Sequence, residues 1–217
     1  MLTLSEELFL LSLQEKKDSV RFSNRAALPY ALAGALLIEL YLAGKVRLDG
    51  KKVAAVGRPT ASGELLSELL EKITAVQPKK LTYWVETFGG KQRKLRKAVV
   101  AGLVMKGILK EEEKTLLWVI PYTGYAEQDT SAKFALKQRL RAVVLGGQKA
   151  DERTMALLSL GRAAGLLDHL FTRDEMQRAR KGIEDLVQDE AMGQAVIETI
   201  EAIDAAIMAA VMVATSG

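Results

Sequence analysis

The stretch from Ala31 to Gly57, ALAGALLIELYLAGKVRLDGKKVAAVG, constrains the fold more than any other part of the chain. Leucine and tyrosine recur at helical spacing in its first half, and alanine or glycine fills most positions between them. A helix that is apolar on nearly every face belongs inside a core. Glu39 is the one acidic residue of this helix, and we expect it to find a partner or to lie at an edge.

A small hairpin is predicted directly after this helix. Gly44 ends the helix, because glycine tolerates the left-handed closing conformation. Residues Val46–Val53 then alternate as two short strands around an Asp-Gly turn. The pattern of helix, glycine and hairpin recurs at Val99–Ile120, where we place the turn at Glu111–Lys114.

The rest of the chain predicts further helices with no alternation of strands and helices that would require a parallel sheet. We therefore expect an all-α fold, a single-domain helical bundle over residues 1–217 with surrounding amphipathic helices and two small β-hairpins. The predicted amphipathic or apolar helices begin near Thr3, Glu64, Leu81, Ser131, Asp151, Thr172 and Ala191.

Composition narrows the class of protein. The 217 residues include no cysteine, which excludes disulfides and thiolate zinc sites and fits a reducing compartment. A net charge of +4 predicts only weak attraction to anionic surfaces. The first residues lack the pattern of a signal peptide, and the apolar run at Ala205–Ala214 is too short to span a bilayer.

Signals for catalysis are weak. The one histidine, His169, is near a predicted helix end, where a capping or hydrogen-bonding role is more common than catalysis. Gly89-Gly90-Lys91 lacks the earlier glycine and the following hydroxyl of a phosphate-binding loop. We expect no enzyme, no catalytic residue, no metal and no cofactor.

Two basic clusters carry more information. The first comprises Lys91, Arg93, Lys94, Arg96 and Lys97 at a helix start, where positive charge opposes the helix dipole. A solvated face is the favoured interpretation, and a winged-helix nucleic-acid binder is the alternative.

The second cluster comprises Lys137, Arg139 and Arg141, which border an apolar stripe of one predicted helix. At about 100° per residue, Lys137 and Arg141 share one flank and Arg139 lies nearer the other. Such a helix can lie on a membrane surface or dock on a core with its long side chains reaching outward. Spacing alone favours the docked helix.

Several stretches in order resemble the Golgi phosphoprotein 3 family. They are LTLSEELFLLSLQEK at Leu2–Lys16, Phe22 and Asn24, LLIELYLAGKVRL at Leu36–Leu48, Pro59, SGELLSELL with QPKKLTYWVE at Ser62–Glu86, VMKGIL at Val104–Leu109, KQRL at Lys137–Leu140, and DERTMALLSLGRAAGLLDHLF at Asp151–Phe171. The resemblance implies a compact helical domain without enzymatic activity. It also implies a peripheral membrane protein that reads the phosphatidylinositol 4-phosphate headgroup. Eukaryotic members lie on the cytosolic face of the Golgi and help to retain glycosyltransferases in vesicle traffic.

The resemblance also implies a headgroup pocket made from a tryptophan, an arginine and basic residues around KQRL. Here the tryptophan position is Ser23 and the arginine position is Ala33. The surviving candidates are Ser23, Asn24, Arg25, Lys137, Arg139 and Arg141, with Arg25 or Arg21 as substitutes for the lost arginine. A phosphomonoester needs several directed cationic donors, so these losses should weaken headgroup binding. They indicate a divergent member, consistent with a prokaryotic source, whose ligand need not be a phosphoinositide.

We therefore expect a cytoplasmic peripheral membrane adaptor that binds an anionic phospholipid headgroup. Cytosolic tails of membrane proteins and a second copy of the chain are further candidate partners. A scaffold with protein partners alone stays open, and nucleic acid is disfavoured. This site needs Arg139 to face outward, and a guanidinium turned inward onto a carboxylate would contradict it.

Overall fold

The computed structural model describes residues 1–16, 19–22, 26–57, 63–116, 120–167, 170–172, 174–175, 177–179, 181–182 and 194–215. Helices dominate these residues. They are α1 Leu4–Ser12, α2 Leu28–Leu42, α3 Glu64–Thr74, α4 Leu81–Gly89, α5 Gln92–Met105, α6 Ser131–Gly146, α7 Glu152–Ala163 and α8 Gln194–Thr215. The predicted all-α fold with small hairpins is confirmed. That a single domain extends over residues 1–217 stays a prediction.

The strands form small antiparallel sheets. The two predicted hairpins are β3 Val46–Asp49 with β4 Lys52–Ala55, and β6 Leu109–Leu116 with β7 Ile120–Glu127. The sequence did not predict two further features. One is the pair of β1 Leu13–Lys16 with β2 Ser19–Phe22, and the other is β5 Lys79–Lys80, which adds to β4.

Helix α2 lies at the centre of the core, as its sequence predicts. It contacts α1, α4, α7 and α8, and ten of its residues are buried. Pro29 falls in its first turn, where the missing N–H costs little. A Cβ added to Gly34 would lie 2.9 Å from side-chain atoms of both Ile203 and Ile207. The glycine therefore lets α8 approach α2 closely.

Glu39 of α2 does have the partners that its position demands. Its carboxylate accepts a hydrogen bond of 2.7 Å from the Leu4 backbone N–H, which belongs to the first turn of α1. Arg153 of α7 places Nη1 3.1 Å from Glu39 Oε1. The one acid of the central helix thus joins it to α1 and α7.

Helix α1 is buried along its whole length, including two consecutive acids. The helix begins beside Thr3, as the sequence predicts, and the structure shows that Thr3 caps it in a capping box with Glu6. Glu6 also lies 2.5 Å from Lys106 Nζ, and Glu7 lies 3.2 Å from the Nε of Arg153. The helix dipole alone therefore does not account for these acids, because each has a cation from a distant part of the chain.

The second hairpin has a different register from the one predicted. Glu111–Lys114, expected to form the turn, lies inside β6, and Glu112 pairs with Gly124 of β7. Strand β7, Ile120–Glu127, begins at the residue where the predicted hairpin was expected to end. Charged residues are tolerated along a two-stranded ribbon whose described acids are exposed or half-buried, so their clustering did not mark a turn.

Candidate functional site

The second basic cluster lies on α6, whose apolar stripe docks on the core. Leu136, Leu140, Val143 and Val144 are buried, which confirms the predicted stripe. Lys133 in the first turn is also buried, and its Nζ lies 3.0 Å from both the Leu13 carbonyl oxygen and Glu127 Oε1. This lysine ties the start of α6 to β1 and β7, and it fixes which flanks of α6 face outward.

Arg141 points toward the segment that follows α7. Its Nη1 donates to the Leu170 carbonyl oxygen at 2.8 Å and to Glu175 Oε2 at 2.9 Å, and its Nη2 donates to Glu175 Oε1 at 2.5 Å. The bidentate pair with Arg141 lowers the pKa of the Glu175 carboxyl to about 2. The same hydrogen bond raises the pKa of the Arg141 guanidinium. This arginine is therefore strongly engaged within the protein.

Arg139 points the other way, toward α1. Its Nη2 lies 3.2 Å from Glu7 Oε1, and 38% of its side chain is exposed. The guanidinium therefore turns onto the buried Glu7 carboxylate, which contradicts the outward orientation that the site needs from Arg139, although 38% of the side chain stays exposed. A phosphate would have to compete with Glu7 for it.

Lys137 is the least engaged of the three. It is half-buried, and among the described residues it has no ion pair. Because Arg139 contacts α1 and Arg141 contacts Glu175, the three basic side chains of α6 do not converge on one point.

The remaining predicted site residues, Ser23, Asn24 and Arg25, lie outside the described residues. The structure does describe the end of β2, the strand that directly precedes these residues. Phe22, its last residue, pairs with Leu13, whose carbonyl oxygen accepts the hydrogen bond from Lys133 of α6. The chain therefore leaves β2 beside the start of α6, one turn before Lys137.

The first basic cluster, at the start of α5, is divided between two faces. Lys94 Nζ lies 2.6 Å and Lys91 Nζ 3.7 Å from the Glu68 carboxylate of α3. The hydrogen bond between Lys94 and Glu68 lowers the pKa of the Glu68 carboxyl and raises that of the Lys94 ammonium. Arg93, Arg96 and Lys97 line a separate cleft. The cluster is therefore not one continuous basic stripe such as a DNA-reading helix would present.

Two further observations bear on function. His169 lies outside the described residues. Within the described part of the chain, no three histidine, aspartate or glutamate residues are grouped so as to hold a metal ion. No described helix combines the length and the apolarity needed to cross a bilayer.

Comparison with known sequences decides the family. The profile described as Golgi phosphoprotein 3 (GPP34) matches residues 4–203. The chain belongs to the GPP34 family.

Among curated proteins the chain is similar to two fungal proteins named vacuolar protein sorting-associated protein 74. The protein from Eremothecium gossypii is 25% identical over 216 residues, covering 83% of this chain and 65% of the relative. The protein from Schizosaccharomyces pombe is 32% identical over 165 residues, covering 66% of this chain and 48% of the relative. The chain thus spans less than two thirds of the length of either relative.

The residue at the predicted arginine position of the headgroup pocket lies inside the core. Ala33, at that position, is fully buried in α2, next to Gly34 at the contact with α8. A cation could not occupy this place without entering the core. Any substitute must come from another element, and Lys137 is the available basic side chain on α6.

The sequence analysis missed Phe134. This residue lies on α6 one turn before Lys137, and 64% of it is exposed, which is unusual for a phenylalanine. Phe134, Lys137 and Arg141 share one helix flank, because successive residues rotate by about 100°. The sequence could have indicated Phe134, because it places an aromatic residue on the basic flank of α6 and not within the apolar stripe.

Proposed function

We propose that this GPP34 protein is a non-enzymatic peripheral membrane adaptor that binds an anionic phospholipid headgroup with the outer flank of α6 and the 23–25 segment. Phosphatidylinositol 4-phosphate is the headgroup that the family resemblance implies. In eukaryotic members the corresponding place is the cytosolic face of the Golgi. The protein links membrane proteins, through their cytosolic tails, to sorting.

The family match over residues 4–203 carries this proposal. The names of the two relatives, which refer to vacuolar protein sorting, agree with a role in membrane traffic. The local chemistry supports it as well, since a lysine without a described carboxylate partner lies beside an exposed aromatic residue. Cations flanked by aromatic side chains suit an anionic membrane surface.

The six candidate residues take different parts in this proposal. Lys137, with Ser23, Asn24 and Arg25, contacts the headgroup phosphate. Arg139 and Arg141 stay paired with Glu7 and Glu175, and their partly exposed guanidiniums add positive potential at the rim. Because Glu7 is buried, we assign Arg139 no direct contact with the phosphate.

Vesicle sedimentation with the full chain tests the proposal. The vesicles contain phosphatidylcholine alone, phosphatidylcholine with phosphatidylserine, or phosphatidylcholine with phosphatidylinositol 4-phosphate at matched total charge. Lys137→Glu and Arg25→Glu should each weaken binding to the anionic vesicles about tenfold, because a basic residue near such a surface contributes about 1 kcal/mol and reversal removes and inverts it.

Lys51→Glu is the matched control, since Lys51 is exposed in the β3–β4 turn and the change in net charge is the same. On a logarithmic scale, the loss of vesicle binding caused by Lys51→Glu should be less than half the loss caused by Lys137→Glu. Equal losses for Lys51→Glu and Lys137→Glu would refute the site. No binding of the wild-type protein to any anionic vesicle would refute the function and favour a scaffold with protein partners alone.

A further inference from the structure

A cleft of about 450 Å³ opens between α5 and β7, on elements that the proposed membrane site does not use. It is larger than a lone phosphate ion and falls in the range of small-molecule sites, about 300–1,000 Å³. Its lining residues are Gln92, Arg93, Arg96, Lys97, Val100 and Tyr125. We propose that this cleft binds an organic phosphate.

The lining of the cleft is strongly one-sided in charge. Of the six described lining residues, three are cationic and none is acidic. This follows from the geometry of α5, because Arg93, Arg96 and Lys97 fall on one face at about 100° per residue. Lys91 and Lys94 lie on another face and share Glu68 of α3. Glu68 thus neutralises the face of α5 that carries Lys91 and Lys94, whereas the described lining of the cleft includes no acidic residue.

Two electrostatic features of the cleft favour a bound anion. Partial burial lowers the pKa of the Arg96 guanidinium, which Tyr125 only partly opposes. The cleft also adjoins the start of α5, where no side chain caps the helix and the first turn holds no acid. The positive end of the helix dipole therefore adds to the three cations rather than offsetting them.

The donors in the cleft favour phosphate over other anions. The Arg93 guanidinium can present a planar fork of N–H donors, which matches phosphate oxygens. Lys97 adds a point charge, and Gln92 can donate from its amide. Val100 and the Tyr125 ring provide apolar surface for the carbon skeleton of the ligand. A phosphorylated polyol or sugar fits this combination better than inorganic phosphate.

The test is titration calorimetry of the full chain with two soluble probes, inorganic pyrophosphate and fructose 1,6-bisphosphate. The double variant Arg93→Gln/Lys97→Gln should weaken binding of the sugar bisphosphate at least about tenfold, since two charge-assisted contacts are lost. The matched control is Lys91→Gln/Lys94→Gln, which removes the same charge from the same helix on the face toward α3. Its affinity should stay within about twofold of wild type, because surface substitutions have small effects.

Sedimentation with the phosphatidylinositol 4-phosphate vesicles then identifies the source of the phosphate. If Arg93→Gln/Lys97→Gln also loses vesicle binding, the ligand is a lipid headgroup, and if vesicle binding is unchanged, it is soluble. Equal affinity of both double variants for the sugar bisphosphate would overturn the inference, as would no binding of either probe by wild type. Binding only of duplex DNA, with a steep dependence on salt, would overturn it as well. Lys137→Glu leaves the cleft unchanged, so failure here and failure of the membrane site are distinguishable.

Discussion

The Arg139 guanidinium lies 3.2 Å from the carboxylate of Glu7, a buried acid in α1. Glu7 also meets Arg153, so one carboxylate holds cations from α6 and α7. This relationship joins the proposed membrane surface to the core. It means that substitutions at Arg139 act on stability as well as on binding, and the two effects must be measured separately.

We expect Glu7→Gln to lower the free energy of unfolding by about 3 kcal/mol, because breaking a buried ion pair leaves its partners uncompensated. Urea denaturation of wild type and variant measures this. Glu64→Gln is the control, since Glu64 is an exposed acid in the first turn of α3. Its change should be below about 1 kcal/mol. Equal losses in the two variants would show that Glu7 acts only through the helix dipole.

The pair of Arg141 with Glu175 predicts a dependence of stability on pH. The pKa of Glu175 is lowered from 4.5 to about 2, so its contribution is full above the unfolded value and is lost as pH falls through this range. The difference in Tm between wild type and Glu175→Gln should therefore be largest above pH 4.5 and should shrink toward pH 2. A difference that stays constant through this range would contradict the pairing in solution.

Phe134 should act as a membrane anchor without supporting the fold. Phe134→Ser should weaken binding to anionic vesicles about tenfold, because burying a phenylalanine side chain contributes about 1.5–3 kcal/mol. Its Tm should not fall, since 64% of the residue is already exposed. Met105→Ser provides the comparison, as Met105 is 88% exposed at the end of α5. If both variants bind vesicles as wild type does, Phe134 has no role at the membrane.

The close contact of α2 and α8 predicts that Gly34 tolerates no branched side chain. Gly34→Val should lower the free energy of unfolding by about 2 kcal/mol, because even a Cβ would meet Ile203 and Ile207 at 2.9 Å. Gly146→Val makes the same change at the end of α6, where a Cβ has nothing within 4 Å. It should alter stability by less than about 1 kcal/mol. Denaturant midpoints of the two variants measure these losses of stability, and equal losses would exclude steric crowding at Gly34.

The sequence was sufficient to predict the parts of the fold that depend on local pattern. The apolar composition of α2 predicted its burial, and the isolation of Glu39 predicted that it would need a partner. That the partner is Arg153 could not be predicted, because the two residues are separated by 114 positions and no local pattern links them. The turn expected at Glu111–Lys114 was wrong because a polar run fits an open two-stranded ribbon as well as a turn.

The candidate site was predictable to a similar extent. The stripe of α6 and its basic flanks followed from helical periodicity. The pairing of Arg139 with Glu7 did not, since the helix dipole favours an acid in the first turn whether or not a distant cation pairs with it. The burial of α1 on all sides was the missing information, and an apolar run that follows two adjacent acids is the signal that could have suggested it.

The two acids of α1 also bear on the order in which the protein forms. Glu6 is neutralised by Lys106, and Glu7 by Arg139 and Arg153, which belong to α5, α6 and α7. This nine-residue helix is synthesised before those later helices, yet it cannot enter the interior without unpaired carboxylates until they exist. The docking of α1 must therefore wait, and the core closes around it only after α5, α6 and α7 have been made.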